Sequence, residues 1–308
     1  MKVFVAGATG AIGRPLVRQL VEAGHEVTGM TRSPERAEGV RAAGGGAVVA
    51  DALDAEQVRQ AVGMAAPEAI VHQLTDLPQE FGSRQRLGAT SRLRTEGTRN
   101  LLDAARDAGA RRFVAQSIAF VYSPRAAPVS DEDGPTLAGT PGFGEAVDAV
   151  LELERTVTGA EGMDGLALRY GFFYGPGTWY ARGTKLARAV ERRRFPIVGD
   201  GGGIWSFIHV EDAAAATVAA LERGAPGVYN VVDDDPAPMR DWLPALADAL
   251  GAKPPRRVPV WLARLAAGKG TAGMAVAMRG ASNAKAKREL GWEPRYQSWR
   301  QGFREGLG

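Results

Sequence analysis

The opening 17 residues constrain the fold more than any other segment of the chain. A short apolar run at residues 3–6 predicts a buried strand, and Gly7, Gly10 and Gly13 follow it before a helix expected to begin near Ile12. Backbone N–H groups and the helix dipole point at such a turn, so it can hold an anion. The alternative is an ordinary turn of small residues. In this context the segment predicts the pyrophosphate site of a dinucleotide.

The end of the second predicted strand, residues 25–31, indicates which dinucleotide binds. A site for NAD usually has an acid there, which binds the ribose 2′-hydroxyl. This chain instead has Thr31, Arg32 and Ser33. A guanidinium and a hydroxyl suit a 2′-phosphate, because they can form charge-assisted hydrogen bonds with it. We therefore expect NADP, with NAD less favoured; the alternative is that Arg32 is only a surface residue.

Further strands are predicted at residues 47–50, 69–72, 112–117, 166–169 and 227–232, with helical patterns between them, including one at 84–108. This alternation predicts an α/β fold with a doubly wound, parallel Rossmann sheet. Ligands bind such sheets at the carboxyl ends of the strands. Asp51 could accept a hydrogen bond from adenine or cap a helix near Asp54. The predicted cofactor-binding residues are Gly7, Thr9, Gly10, Ala11, Ile12, Gly13, Thr31, Arg32, Ser33, Asp51, Ala52, Gln73 and Leu74.

The pattern changes after residue 174, where glycine-rich breaks occur at 175–177 and 199–203. We expect a Rossmann domain at 1–174, to which residues 204–234 return, and a smaller, discontinuous substrate lobe made of 175–203 and 235–308. Residues 266–280 are rich in small side chains, which suggests a mobile loop or flap.

Composition excludes several classes of site. There is no cysteine, which rules out disulfides and thiolate catalysis, and the three histidines lie too far apart in sequence to suggest a metal site. A net charge of +3 gives no indication of nucleic-acid binding. No apolar run reaches the length of a membrane span. We expect a cytoplasmic protein that binds a small molecule.

Several motifs together resemble the extended, epimerase/dehydratase-like branch of the short-chain dehydrogenase/reductase superfamily. They are GATGAIG at 7–13, Asp51, GTRNLLDAA at 97–105, Leu168-Arg169 with the Tyr-Gly-Pro-Gly at 174–177, FIHVEDAA at 207–214 and the C-terminal stretch 291–303. The resemblance implies NAD(P) on the sheet side and substrate in the C-terminal lobe. It also implies a possible homodimer through the helices at 84–108 and 145–158.

The chain departs from that family at the residues that transfer protons. The family carries Ser or Thr after the fifth strand and then Tyr-x-x-x-Lys, in which the lysine prepares the phenol for proton exchange. Aligning Val121-Tyr122 with the family places Ile118 at the Ser/Thr position. Aligning Glu154 places Ala146 and Val150 at the Tyr and Lys positions. The sequence therefore predicts an atypical member without the standard proton relay.

Other groups could take over the chemistry, although each has a structural alternative. Ser117, Tyr122 and Tyr174 are the candidate catalytic residues, because they follow predicted strands at the ligand edge. Each of them could instead pack or close backbone hydrogen bonds. Phe172, Trp179 and Trp205 are the candidate substrate contacts, as an apolar wall for a ring, or else the core of the small lobe.

The favoured function is an NADP-dependent oxidoreductase that acts on a small carbonyl, enone or sugar-like substrate, with a substitute acid or water as proton donor. One alternative is a non-redox isomerase, dehydratase or cyclase on the same scaffold. The other is a non-catalytic regulator that binds NADP.

Overall fold

A seven-stranded parallel sheet forms the centre of the computed structural model, which describes residues 1–77, 87–140 and 143–308. Its strands follow the order β12-β7-β5-β4-β1-β2-β3. In chain order the strands are β1 Lys2–Ala6, β2 Glu26–Thr31, β3 Gly46–Val49, β4 Ala69–His72, β5 Arg112–Ile118, β6 Val129–Ser130, β7 Asp164–Tyr170, β8 Phe172–Tyr174, β9 Ile197–Val198, β10 Ile204–Trp205, β11 Phe207–His209, β12 Gly227–Val231, β13 Ala237–Pro238, β14 Arg257–Val258 and β15 Gly280–Ala281.

The helices connect these strands. They are α1 Gly13–Glu22, α2 Pro34–Ala42, α3 Ala55–Ala65, α4 Leu87–Arg92, α5 Thr98–Asp107, α6 Phe143–Thr158, α7 Lys185–Glu191, α8 Val210–Glu222, α9 Met239–Ala249, α10 Val260–Ala277, α11 Ala284–Leu290 and α12 Trp299–Glu305. The helix predicted at 84–108 is interrupted by a π-helical turn, Leu93–Gly97, between α4 and α5. The first residues of that prediction, 84–86, lie outside the described residues.

Both faces of the sheet are covered, because the buried strands alternate their side chains between two cores. In β1, Val3 and Val5 face the core formed with α1 and α8. Phe4 and Ala6 face the other core, formed with α3, α5 and α6. The predicted doubly wound parallel sheet is thus confirmed. The strand order reverses between β1 and β4, which is the position where such sheets bind ligands.

A separate aromatic core lies in the C-terminal half of the chain. It includes Tyr180, Trp205, Phe207 and Trp242 and is bordered by α7, α9 and α10. β12 pairs with β7 and so rejoins the central sheet, whereas β10 pairs with β13 beside the aromatic core. The proposed lobe boundaries stay a prediction.

Residues 266–280 do not form the loop that their small side chains suggested. Most of them belong to α10, which is interrupted only by Gly268 at φ 84° and ψ 161°. Alanines in this segment favour a helix and pack against the aromatic core, which explains the error. None of the described helices combines the length and apolarity needed to span a membrane.

Candidate functional site

The three glycines of the turn after β1 have different surroundings. Gly7 has φ 92°, and a Cβ there would lie 2.9 Å from the backbone of Gln73. A Cβ at Gly13 would collide with the backbone of Gly7 and Ala8. At Gly10, a Cβ would meet only the Gly7 carbonyl oxygen, at 3.3 Å. Gly7 and Gly13 are therefore needed for packing, and Gly10 leaves room for a ligand.

The start of α1 provides the N–H groups that the sequence predicted. Ile12 occupies the N-cap without a side-chain hydrogen bond, and the first turn has no acid. Such a helix start favours a bound anion. Thr9 Oγ1 lies 3.4 Å from Thr31 Oγ1 and so joins the turn to β2. A Cβ built on Gly177 lies 4.0 Å from Ala11 Cα, so the Tyr-Gly-Pro-Gly segment lies beside the turn.

The residues predicted to distinguish NADP from NAD follow β2. Thr31 is buried and Arg32 is exposed. Ser33 caps α2 by accepting a hydrogen bond from the Arg36 N–H at 3.3 Å, and its hydroxyl donates to Glu35 at 2.5 Å. No hydrogen bond or ion pair of Arg32 is found with the described residues. Its guanidinium is thus available to a ligand, whereas the Ser33 hydroxyl already has partners.

Asp51 and Ala52 follow β3 at the same edge. Asp51 Oδ1 accepts a hydrogen bond from the Leu53 N–H at 3.0 Å, and Asp54 rather than Asp51 caps α3. The Ala52 carbonyl accepts a hydrogen bond from Asn100 Nδ2 at 2.9 Å. Of the two roles considered for Asp51, the helix cap is therefore taken by Asp54, and the contact with adenine stays a prediction.

The loop after β4 contains two further cofactor candidates, Gln73 and Leu74. Gln73 Nε2 donates to the Tyr170 hydroxyl at 3.2 Å, while Gln73 Oε1 is buried and has no partner among the described residues. The Leu74 N–H donates to His72 Nδ1 at 3.2 Å, so His72 Nε2 carries the hydrogen that faces the Leu93 carbonyl at 3.3 Å. Burial lowers the pKa of His72 to about 4, which keeps this imidazole neutral.

Together these features fit a dinucleotide. The uncapped start of α1, the open space at Gly10 and the unpaired acceptor of Gln73 all lie beside the reversal point between β1 and β4. An anion would satisfy the helix start, and a hydroxyl group would satisfy the Gln73 oxygen. Neither requirement is met by protein groups in the described part of the chain.

The positions that the alignment assigns to the proton relay are apolar and buried. Ile118 and Val150 share an apolar cluster with Val147, Val232 and Ala281, and both are buried. Ala146, at the position of the family tyrosine, is also buried. No tyrosine anywhere in the sequence is followed four residues later by lysine. The absence of the relay stays a prediction that rests on this alignment.

Ser117 and Tyr122, two of the candidate catalytic residues, belong to a buried hydrogen-bonded network. The Ser117 hydroxyl donates to Glu154 at 2.5 Å, and Arg169 Nε and Nη2 donate to both oxygens of Glu154 at 2.7 Å. The Tyr122 hydroxyl donates to Asn230 at 2.8 Å and accepts from Arg169 Nη1 at 3.1 Å. Burial raises the pKa of Tyr122. These contacts favour structural roles over the predicted catalytic ones.

The third candidate, Tyr174, is fully buried. Its ring packs against Phe207, His209 and Phe303 with centroid distances of 6.4, 5.2 and 5.3 Å. Burial raises its pKa strongly, and its hydroxyl has no hydrogen-bond partner among the described residues. These surroundings favour the packing alternative for Tyr174 as well.

The three predicted substrate contacts, Phe172, Trp179 and Trp205, differ in how deeply they are buried in the aromatic core. Trp205 is 2% exposed and packs 4.9 Å from Trp242, which favours the core alternative for this residue. Phe172 stacks on the half-buried Phe120 at 4.4 Å with an angle of 14°. Trp179 is half-buried against the same aromatic core. Sequence reasoning missed Phe120, although it lies only two residues after Ile118, which was aligned with the Ser/Thr position.

The described residues contain no group of three or more His, Cys, Asp or Glu that could hold a metal ion. The expected absence of a metal site therefore stays a prediction for the whole chain.

Comparisons with known proteins agree with the resemblance seen in the motifs. A reductase from a Streptomyces species, 3-diazoavenalumate denitrifying reductase, is 48% identical over 313 residues, covering 98% of this chain and 99% of that protein. The 2-alkyl-3-oxoalkanoate reductase of Stenotrophomonas maltophilia is 28% identical over 82% of this chain and 76% of that protein.

Among solved structures, the UDP-glucose 4-epimerase of Thermus thermophilus in complex with NAD has a TM-score of 0.74 and 23% identity, covering 100% of this chain and 98% of that one. This likeness concerns the fold. The profile of one protein family matches residues 3–231, most of the chain. This chain belongs to the NAD dependent epimerase/dehydratase family.

Proposed function

We propose that this protein is an NADP-dependent reductase that replaces the diazo group of a small aromatic substrate with hydrogen. The proposal rests on two features together. The turn at Gly10 has room for a ligand, and the alignment places the buried residues Ile118, Ala146 and Val150 at the positions of the proton relay. The 48% identical relative supports the choice of acceptor, because its name specifies a diazo compound and removal of nitrogen.

The chemistry explains why an apolar cluster is tolerated at the relay position. Reduction of a carbonyl needs a proton at oxygen as well as a hydride. When bound, the reduced nicotinamide supplies a hydride, and a diazonium ion R–N₂⁺ plus hydride gives R–H and N₂ without any proton. Ile118 and Val150 then serve to exclude water from the reacting group.

The substrate ring is proposed to lie against the aromatic edge of the site. Phe120 and Phe172 stack with each other. They link the apolar cluster that contains Ile118 and Val150 to the aromatic core of the C-terminal half. A flat, apolar ring is the kind of group that such side chains hold. Phe172 keeps the substrate role predicted from the sequence, and Phe120 joins it.

The choice of NADP is proposed from Arg32. Its exposed guanidinium lies directly after β2 and is unpaired within the described ranges, as a group that binds a 2′-phosphate should be. The thirteen predicted cofactor-binding residues remain the proposed cofactor site.

Turnover with a labelled cofactor tests this function. The protein is mixed with 4-deuterated NADPH and 4-carboxybenzenediazonium, and the nicotinamide absorbance, N₂ release and product mass are followed together. We expect one equivalent of N₂ per NADPH and deuterium at the former diazo carbon. Gly10→Val, which should not hold the cofactor, measures the uncatalysed background.

A panel of ketones and enones under the same conditions supplies the competing result. Faster NADPH oxidation with a carbonyl than with the diazonium ion would overturn the proposal in favour of a carbonyl reductase. Product without any change in the nicotinamide absorbance would overturn it in favour of a non-redox enzyme.

A further inference from the structure

Arg94 is a buried cation with no counter-ion among the described residues. It lies in the π-helical turn Leu93–Gly97 and is 6% exposed. Its Nε is buried and unpaired. Within residues 1–77, 87–140 and 143–308, the guanidinium has no carboxylate within ion-pair distance and donates no hydrogen bond. Burial alone lowers the pKa of Arg94, to about 10, so this side chain is still charged at neutral pH.

The other deeply buried arginine shows what a structural arginine looks like in this protein. Arg169 is 4% exposed and holds Glu154 through two hydrogen bonds of 2.7 Å. Arg94 is similarly buried, at 6% exposure, and has no such partner in the described part of the chain. A buried cation that is left unpaired costs free energy, so its retention requires either a ligand or another benefit.

The position of Arg94 is beside the proposed cofactor and substrate site. The Leu93 carbonyl accepts the hydrogen of His72 at the end of β4, 3.3 Å away, and a Cβ on Gly97 would lie 3.7 Å from Ala52. The turn also packs against α6, the helix that carries Val150. Single π-helical turns inside α-helices are frequently found at functional sites. The turn that carries Arg94 therefore lies near His72 and Ala52, at the carboxyl edge of the sheet, and the charge of Arg94 acts on His72.

We propose that Arg94 binds an oxyanion of a ligand in this site and is the positive group that the missing lysine no longer supplies. The oxyanion is either a phosphate of the dinucleotide or a carboxylate of the substrate. Both suit a guanidinium, which forms two parallel hydrogen bonds with such groups. The inference rests on the proposed function only in placing both ligands in this site.

Binding measurements on Arg94→Met test the inference without requiring turnover. Calorimetry gives the affinities for NADP⁺ and NAD⁺, and then, with the cofactor saturating, for 4-hydroxycinnamate and its uncharged methyl ester. Arg92→Met is the matched control, because Arg92 lies two residues away, is exposed and pairs with Glu96 at 2.8 Å.

Two results would support the inference and identify the anion. A roughly 10- to 100-fold loss of affinity for both dinucleotides, with the aromatic acid unaffected, assigns Arg94 to a cofactor phosphate. A loss of similar size for 4-hydroxycinnamate alone, with its ester and the dinucleotides unaffected, assigns it to a substrate carboxylate. In either case, Arg94→Met should raise the melting temperature of the ligand-free protein, because an unpaired buried charge is removed.

Unchanged affinities together with a lower melting temperature would overturn the inference and make Arg94 a structural residue. Should Arg94→Met fail to fold, Arg94→Lys provides a second test, since it keeps the charge but loses the planar fork. An intermediate affinity supports the inference, and affinities equal to those of the wild type overturn it. These outcomes do not depend on reduction of a diazo group, so this inference and the proposed function can fail separately.

Discussion

At the scale of single residues, the three glycines of the first turn differ in what surrounds them. Side chains at Gly7 or Gly13 would collide with backbone, so substitution there damages the fold before it affects binding. Gly10 meets only one carbonyl oxygen at 3.3 Å and otherwise faces open space. It is therefore the position where the cradle can be blocked with the least damage to the protein.

Gly10→Val should weaken NADP binding by more than about 10-fold, because the added side chain occupies the space proposed for the pyrophosphate. Calorimetry with NADP⁺ and thermal melting measure the effect. Gly63→Val is the control, since Gly63 lies exposed on α3 and a Cβ there would have no atom within 4 Å. Undiminished affinity of Gly10→Val would remove the cradle from the site.

Arg32→Asp should reduce affinity for NADP by at least about 10-fold and leave NAD nearly unchanged. The substitution removes a cation and places a carboxylate near the proposed 2′-phosphate, where it would repel phosphate and could accept a ribose hydroxyl. Parallel titrations with the two dinucleotides measure the ratio. Equal effects on both would contradict the choice of NADP. Arg36→Asp, at the neighbouring exposed arginine of α2, is the control for a general charge effect.

At the scale of secondary-structure elements, a buried ion pair joins α6 to the sheet in addition to the apolar contacts of the helix. Glu154 on α6 bonds Arg169 on β7 and Ser117 on β5, so a single carboxylate joins three elements. Two of the residues first considered for catalysis, Ser117 and Tyr122, are members of this network. The network therefore joins α6, on which the alignment placed Ala146 and Val150, to the sheet.

Glu154→Gln should lower the free energy of unfolding by about 3 to 5 kcal/mol, because it leaves the Arg169 guanidinium buried without a counter-charge. Urea denaturation at neutral pH measures the loss. Glu152→Gln is the matched control on the same helix, where the ion pair with Arg99 is exposed and worth less than about 1 kcal/mol. Similar losses in both variants would show that the buried network is not what holds α6.

At the scale of the whole molecule, buried histidines make stability depend on pH. Burial lowers the pKa of His72 from 6.5 to about 4 and also lowers that of His209, which caps α8 through Nδ1 and faces the Gly306 carbonyl. The unfolded chain therefore takes up protons before the folded chain does. Stability from His72 is complete above about pH 6.5 and is lost as the pH falls toward 4.

His72→Asn should show a smaller loss of stability between pH 8 and pH 5 than the wild type does. The loss from His72 reaches at most about 3 kcal/mol over its full range. Urea midpoints of both proteins at the two pH values measure the loss. The difference between the two proteins at pH 8, where the histidine is neutral, gives the effect of the substitution on packing alone. Carboxylates that titrate in the same range contribute equally to both proteins, so identical pH dependences would show that His72 is not responsible.

The last prediction concerns the oligomeric state of the protein. The helical ranges implied as a homodimer face, 84–108 and 145–158, correspond in the described residues to α4, the π-helical turn and α5, and to α6. The homodimer stays a prediction that sedimentation of the purified protein would check.

The sequence by itself determined the sheet, because glycine spacing, apolar runs and helical periodicity are local patterns that specify strands, turns and helices directly. It also determined the family, because the motifs that identify it are local. The loss of the relay stays a prediction from residue identity at aligned positions. The sequence could not determine the roles of Ser117, Tyr122, Tyr174 and Trp205, because burial depends on which elements meet across the sheet.

Only the tertiary structure paired Glu154 with Arg169, left Arg94 without a partner among the described residues and placed Phe120 against Phe172. Each of these features depends on residues that are separated in the chain and meet only in the folded protein. A charged side chain looks the same in the sequence whether it faces solvent, a buried carboxylate or an empty space for a ligand. Three-dimensional packing decides among these, because it alone fixes the distance to a counter-charge and the access of water.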